Sequence, residues 1–501
     1  MPIELTGNDL TVERFARVVF ERERVSLAKS ARASMEASRA VVEAAIASGK
    51  VVYGVTTGFG DLVKVRIAPE EVRAVQVNLL RSHASGVGEP LSEAETRATL
   101  LLRANVLAKG FSGVRPVVAE RLLELLNRGV HPVIPCRGSV GASGDLAPLS
   151  HLALVLLGEG EANFQGKRMK GAEALQAAGM APLQLEAKEG LSLVNGTQPS
   201  LAVGLLAMLE AENLADTADV AAALSLDALR GTPVAFDERI HKLRPYIGQL
   251  RSAANIRRLN EGSEIRESHV ACGKVQDAYS LRCTPQVHGA VRDALAYVRG
   301  VFETELNAGT DNPLVFAAEG EVVSGGNFHG QPLALALDTL AIALAQLGNI
   351  SERRTERLVN PVFSELPAFL TRKPGLNSGF MMAQVTAAAL ASENKGLAHP
   401  ASVDSIPTSG NEDFVSMSMG AALKARQVAD NVRTILAVEL LCACQGIDLL
   451  APLKTGKLAA QAQAVVRRVV PTLEEDRVLS PDIEAVRRLI SQGSFQQLLS
   501  H

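Results

Sequence analysis

Between positions 138 and 151 the chain reads Gly138-Ser139-Val140-Gly141-Ala142-Ser143-Gly144-Asp145-Leu146-Ala147-Pro148-Leu149-Ser150-His151. Glycines at 138, 141 and 144, with small residues between them, permit positive φ and close backbone approach, which a segment needs if its own atoms are to react. The chemistry such a string allows is therefore a reaction of the main chain itself. A plainer reading is a turn before a helix, with Asp145 as N-cap, Pro148 in the first turn, an apolar run from Leu152 to Leu157, and Gly158 as the stop. Ala-Ser-Gly alone favours the turn, because short strings of small residues are common there. The whole string carries more.

All fourteen residues closely resemble the signature of the aromatic amino acid ammonia-lyases, and among them of the histidine-specific lyases. In that family Ala-Ser-Gly cyclises and loses two waters to become 4-methylidene-imidazol-5-one (MIO), a built-in electrophile. The resemblance implies that Ala142, Ser143 and Gly144 form this group and that no dissociable cofactor is used. Gly144 would offer an unhindered amide nitrogen to the Ala142 carbonyl, and Ser143 would lose its hydroxyl to leave the methylidene. Larger neighbours would obstruct the closure.

Elimination of ammonia from an amino acid faces a poor leaving group and a β-hydrogen that is scarcely acidic, and an electrophile that captures the substrate addresses one or the other. A base is also needed. Tyr53, in Tyr53-Gly54-Val55-Thr56-Thr57-Gly58-Phe59-Gly60, matches the family's tyrosine loop, and its pKa would have to fall from about 10 to serve at neutral pH. A second tyrosine of only four, Tyr279, lies in Val275-Gln276-Asp277-Ala278-Tyr279-Ser280-Leu281-Arg282-Cys283, which resembles another family signature. Arg282 is the natural partner for a carboxylate because its planar fork makes paired hydrogen bonds that lysine cannot reproduce. The family places Gln276 and Tyr279 around the substrate and MIO. Asn195, in Glu189-Gly190-Leu191-Ser192-Leu193-Val194-Asn195-Gly196-Thr197, corresponds to the asparagine beside MIO, where an amide could steady developing negative charge. Phe328, in Ser324-Gly325-Gly326-Asn327-Phe328-His329-Gly330, matches a ring packed near the group.

Two positions bear on the amino acid used. Ser82-His83 matches the Ser-His pair of the histidine lyases, where phenylalanine lyases carry an apolar residue in place of the histidine. Glu412, in Asn411-Glu412-Asp413-Phe414-Val415-Ser416-Met417, resembles the carboxylate that meets a substrate imidazole, whereas phenylalanine and tyrosine lyases usually have glutamine. Burying a polar ring without polar partners is costly, so such partners are expected. The loop departs from the common Asn-Gln-Glu-Asp-His form, being one residue shorter and carrying Phe414 where the histidine stands. The likeness runs from about Leu5 to about Ala451 and includes Thr310-Asp311-Asn312-Pro313 and the run His399 to Pro407.

The elements that must hold these residues are mostly helical. Ala, Leu, Glu and Arg dominate long segments with helical spacing, Trp is absent and aromatics are only 4%, so a mainly α fold is expected. Helices are expected from Thr11 as N-cap, over Ser30 to Ser48, from Pro69 to about Ser82-His83, and from a Ser92/Glu95 capping box to Gly110. Val51 to Gly60 reads as a short extended loop. Hairpins are expected over Glu161 to Met169, turning at Gln165-Gly166, and over Leu314 to Ser324, turning near Gly320. Long apolar helices over Leu201 to Leu229, Gln331 to Leu358, Gly379 to Leu397 and Ala422 to Leu449 read as a bundle. Two further helices close the chain, from Gly456 to Val470 and after Ser480-Pro481. The expected organisation is a smaller mixed N-terminal domain carrying the MIO loop (1–195), a central long-helix bundle (196–450) and a C-terminal helical tail (451–501).

A hydrophobic fraction of 47% against 21% charged residues supplies a substantial core, and a net charge of -3 with no Lys/Arg block excludes nucleic acid as the main partner. Five cysteines (Cys136, Cys272, Cys283, Cys442, Cys444) give neither a disulfide framework nor metal spacing, so no metal is expected and a cytoplasmic setting fits. Met1 to Leu5 lacks a signal-peptide pattern, and Glu210, Asp338, Glu352 and Glu439 interrupt the apolar helices, so no membrane association is expected. The resemblance implies L-histidine as substrate, trans-urocanate and ammonia as products, and a homotetramer whose sites draw on three subunits. A tyrosine or phenylalanine lyase, an aminomutase, or an inactive relative are the alternatives. The fumarase type lacks support, since its Gly-Ser-Ser loop is missing.

Overall fold

Thr11 starts the first helix, Val12–Phe20, by accepting the Arg14 backbone N–H on its hydroxyl. In the computed structural model, which describes residues 2–49, 57, 67–270, 275–404, 406–408 and 412–499, the same side-chain capping recurs at Ser92, Thr232, Asp237, Ser263 and Asn360. Lys29–Ala47 follows, and Pro69 opens a 3-10 turn, Pro69–Glu71, that runs into Val72–His83. Ser92 and Glu95 form the reciprocal capping box of Glu93–Ala108. The expected loop from Val51 to Gly60, and with it Tyr53, lies outside the described residues apart from Thr57.

Both expected hairpins form. Glu161–Phe164 pairs antiparallel with Lys167–Lys170 around Gln165 and Gly166, both at positive φ, and Leu314–Phe316 pairs with Glu321–Val323. The first hairpin gains a third strand, His131–Pro132, and Val87–Pro90 pairs with Pro135–Arg137. That last ribbon leads directly into the glycine-rich string.

The long helices are Gln198–Ala228, Thr284–Glu305, Gln331–Val359 and Ser418–Leu449, with Met381–Leu397 beside them in sequence as expected. Lys457–Arg467 and Ser480–Ser491 follow at the end. Gln331–Val359 is long and apolar enough to cross a bilayer, but 72% of its apolar window is buried within the protein, as in a core helix.

Two compact units result. One comprises Met1–Leu206, Arg299–Leu337 and Pro400–Leu423; the other Ala207–Val298, Asp338–His399 and Lys424–His501. In the second, buried charges stitch helices together. Arg354 is paired with Glu439, which also accepts from Ser225 and Ser351. His288 Nδ1 and Arg292 meet Asp219 at 2.8 and 2.6 Å, and against the penalty of burial these partners hold the Asp219 carboxyl well below its ordinary range.

Candidate active site

The glycine-rich string turns sharply: Gly138, Gly141 and Gly144 have φ of +134°, +70° and +72°. Each flank of Ala142-Ser143-Gly144 is pinned. The Gly141 carbonyl accepts from the Gly330 backbone at 3.0 Å and from the Ser416 hydroxyl at 2.9 Å, and the Val140 carbonyl accepts from Met417 at 2.8 Å. On the other side Gly144 bridges to Gly196, and Asp145 N donates to the Gly196 carbonyl at 2.7 Å. A Cβ on Gly144 would strike the Gly196 backbone, so only glycine fits this approach.

Asp145 stands at the N-cap position of Leu146–Leu156, yet its side chain makes no capping bond there. It accepts instead from the hydroxyls of Ser139 at 2.6 Å and Ser200 at 2.9 Å and from Ser200 N at 2.8 Å, so it caps the first turn of Gln198–Ala228. The plain reading of Asp145 is corrected on this point. Complete burial pushes its carboxyl upward, with these hydrogen bonds opposing.

Ser143 Oγ donates to Glu412 Oε1 at 2.7 Å, and Thr408 Oγ1 donates to Oε2 of the same carboxylate at 2.7 Å. The shortened loop thus delivers Glu412 to the middle residue of the tripeptide. Phe328 is half-buried two residues before Gly330, whose N–H holds the Gly141 carbonyl. Between them His329 stacks on Phe414 at 6.0 Å and lies 3.2 Å from the Phe414 carbonyl through Nε2.

Asn195 follows the short helix Glu189–Val194 and precedes the Gly196 bridge. Its carbonyl accepts from the buried Arg103, which also donates to Gln198 at 2.6 Å and to the Ser192 carbonyl. Burial lowers the Arg103 pKa to about 10, which leaves it cationic at neutral pH. His83 ends its helix with Nδ1 2.9 Å from the Leu79 carbonyl. Because a carbonyl only accepts, Nδ1 carries a proton, and Nε2 is left to face elsewhere. The segment after it is tied to the string, since His151 Nε2 accepts from Gly86 N at 3.1 Å.

Gln276, Tyr279 and Arg282 belong to the second unit. Gln276 is exposed, Tyr279 opens a short helix, Tyr279–Arg282, with 70% of its surface accessible, and the Arg282 guanidinium lies 4.6 Å from the Tyr279 ring centre. Arg354 donates to the Ser280 carbonyl at 3.4 Å and steadies this turn, while the buried Arg282 Nε has no partner among the described residues. The first unit therefore gathers Ala142, Ser143, Gly144, Asn195, Phe328 and Glu412. The second presents Gln276, Tyr279 and Arg282 together. Sequence reasoning passed over Ser139, Ser200, Ser416 and Thr408, since isolated hydroxyl residues carry no spacing signal.

The family model for aromatic amino acid lyases matches residues 10–468. The chain belongs to the aromatic amino acid lyase family. Within that family it is 60% identical to the histidine ammonia-lyase of Koribacter versatilis, over 98% of both chains. The histidine ammonia-lyase structure from Trypanosoma cruzi superposes with a TM-score of 0.92 at 46% identity, covering 100% of this chain and 95% of that one. The tyrosine aminomutase structure from Streptomyces globisporus gives 0.93 at 41% identity, covering 100% and 98%.

Proposed function

We propose that this carbon–nitrogen lyase eliminates ammonia from L-histidine to give trans-urocanate, using an MIO group formed from its own Ala142-Ser143-Gly144. The observation that carries the choice of substrate is the Glu412 carboxylate held at Ser143. A carboxylate at that point suits an imidazole N–H and offers nothing to a phenyl ring. The tripeptide fits the group: Gly144 bears no Cβ where one would meet Gly196, Ala142 is buried, and both flanking peptides are fixed. When formed, MIO supplies an electron-poor alkene that captures the substrate and so eases departure of ammonia or loss of the β-proton.

The chain's own residues do the rest. Arg282 takes the substrate carboxylate with its fork, beside Tyr279 and Gln276. Tyr53 removes the β-proton. His83 presents its ring Nε2, and Phe328 supplies apolar wall. Incubation with L-histidine, L-tyrosine and L-phenylalanine in turn, following urocanate, coumarate and cinnamate, tests the assignment. Urocanate should dominate; a clear preference for tyrosine, or a β-amino acid product, overturns it. Intact-mass measurement should show the loss of two waters, and a full-mass chain would mark an inactive relative.

We further infer a homotetramer with sites shared among subunits. Leu335 and Ile342, seven residues apart on Gln331–Val359, and Met382 and Val385 on Met381–Leu397 are between 42% and 63% accessible, which supports association through helix faces. The free state of Cys136, Cys283, Cys442 and Cys444 supports a cytoplasmic setting. The division at 195 and 450 stands as a proposal about chain segments, to be tested by limited proteolysis.

A further inference from the structure

The Asn195 side chain faces backward onto acceptors alone. Its Nδ2 donates to the Asn312 carbonyl at 3.0 Å and to Asp311 Oδ1 at 3.4 Å. A carbonyl and a carboxylate have no proton to give, so turning the amide round would set its oxygen against two others. Asp311 is itself fixed: Oδ1 accepts from Asn312 N at 2.7 Å, and Oδ2 lies 3.2 Å from Lys188 Nζ. Lys188 is wholly buried, sits at φ +70°, and among the described residues otherwise donates only to Ser192 Oγ, at 2.9 Å. Burial lowers its pKa and Asp311 opposes the fall. A buried lysine on a left-handed backbone is costly on two counts, and what it secures here is the position of the Asp311 side chain behind Asn195.

The amide oxygen differs from the nitrogen. Among the described residues the Asn195 amide bonds through Nδ2 alone, and no group donates to Oδ1. It stands one residue from the Gly196–Gly144 bridge. The sequence-based expectation that Asn195 steadies negative charge needs its N–H groups, and both are committed.

We propose that Lys188 and Asp311 are positioning residues that lock the Asn195 amide with its oxygen toward the substrate, so that Asn195 accepts a hydrogen bond from the substrate's amino group. This rests on the lyase reading above, though not on which amino acid is the substrate. The acceptor role selects for the amine that the reaction expels, whereas a donor role would select for the carboxylate.

The test uses full-length Ser143→Ala protein, in which the ring cannot form and a bound amino acid stays unreacted. Calorimetry compares the amino acid that the wild-type chain deaminates with its des-amino counterpart, which for L-histidine is imidazolepropionate. If wild-type turnover identifies another amino acid, the ligand pair changes and the test stands. Adding Asn195→Ala should weaken the amino acid by about tenfold or more, as for a charge-assisted hydrogen bond, and the des-amino acid by less than about twofold. Equal losses for the two ligands, loss with neither, or a parent that does not distinguish them overturns the proposal. Asp311→Asn gives residue 311 an N–H and frees the Asn195 amide to turn, so the same amine-selective loss is expected with the fold intact by circular dichroism. Unchanged amine selectivity in folded Asp311→Asn overturns the positioning role, and a merely structural role would weaken both ligands together. Should Asp311→Asn fail to fold, the Asn195→Ala arm still decides which way the amide faces.

Discussion

At the scale of single residues the site is a set of opposed hydrogen-bonding capacities. Glu412 only accepts when ionised, and it accepts from Ser143 and Thr408 at 2.7 Å each. In the proposed reading, loss of the Ser143 hydroxyl on forming MIO would release one of those capacities, and an imidazole N–H would be a suitable replacement. Glu412→Gln retains size and one acceptor but gives up charge, and charged hydrogen bonds are roughly twice as strong as neutral ones. The expected outcome is a fall of about 10- to 100-fold in kcat/KM for L-histidine, corresponding to roughly 1.5–3 kcal/mol. Activity toward L-tyrosine should fall much less. The two-water mass loss should persist, because the substitution leaves Ala142, Ser143 and Gly144 in place. Steady-state assays on both amino acids, with intact mass alongside, check all three.

At the scale of elements, the short helix Tyr279–Arg282 depends on a buried ion pair behind it. Arg354 is inaccessible, paired with the equally buried Glu439, and reaches the Ser280 carbonyl and the His288 ring. Arg354→Met would leave Glu439 charged and without its partner, for which about 3–5 kcal/mol of destabilisation is usual. It would also release the turn that carries Arg282. Thermal scans at fixed rate should show a lowered Tm, and any folded variant should show a raised KM, reflecting a loosened carboxylate clamp. Signals of this kind explain what the sequence displayed and what it concealed. The Thr11 cap, the Ser92/Glu95 box and the Gln165-Gly166 turn are local, with cause and effect within four residues, so they could be read directly. Glu93–Ala108 was legible as a helix, but nothing in its sequence marked Arg97 and Arg103 as interior residues. Both are buried, donating to carbonyls far away in sequence such as Val18 and Asn195. The Lys188–Asp311 pair escaped for the same reason: it spans 123 positions, and although Asp311 stood in the Thr310 to Pro313 string, nothing local pointed to Lys188. Asp145 does stand at the N-cap position read from the sequence, but its side chain accepts 55 positions on, at Ser200, which no local signal shows. The tripeptide, Asn195, Phe328 and Glu412 were found through family motifs, and composition alone would have found none of them.

For the molecule as a whole, acid stability and assembly both follow from what the interior must tolerate. Burial lowers the His131 pKa from 6.5 to about 4, with Glu93 opposing and Arg97 and Arg22 reinforcing the fall. Its folded pKa lies below its unfolded one, so the neutral ring's contribution is complete above about pH 6.5 and is lost as the unfolded chain alone gains a proton between there and about 4. That is at most about 3 kcal/mol, and His131→Gln should flatten the difference in stability between pH 7 and pH 4.5 relative to wild type, measured by denaturant titration at each pH. Taking the difference against wild type cancels Asp145, whose raised pKa works in the opposite direction. Assembly leads to the final prediction. Arg282, Tyr279 and Gln276 lie in one compact unit, whereas the tripeptide and Glu412 lie in the other, and Tyr279 and Gln276 are exposed on the single chain. An exposed aromatic beside an arginine whose buried Nε has no partner among the described residues is an arrangement suited to a surface completed by another subunit. If Tyr53 and Arg282 serve one MIO from different chains, inactive Tyr53→Phe and Arg282→Ala proteins, unfolded together and reassembled, should recover part of wild-type activity. Random mixing places both intact residues at some sites and neither at others, so recovery should track the mixing ratio and peak near equal amounts. Each variant reassembled alone should stay inactive. Activity that stays at the single-variant level in mixed tetramers whose composition is confirmed by native mass spectrometry, or full wild-type activity in an isolated monomer, would place both residues on one chain and end the shared-site proposal.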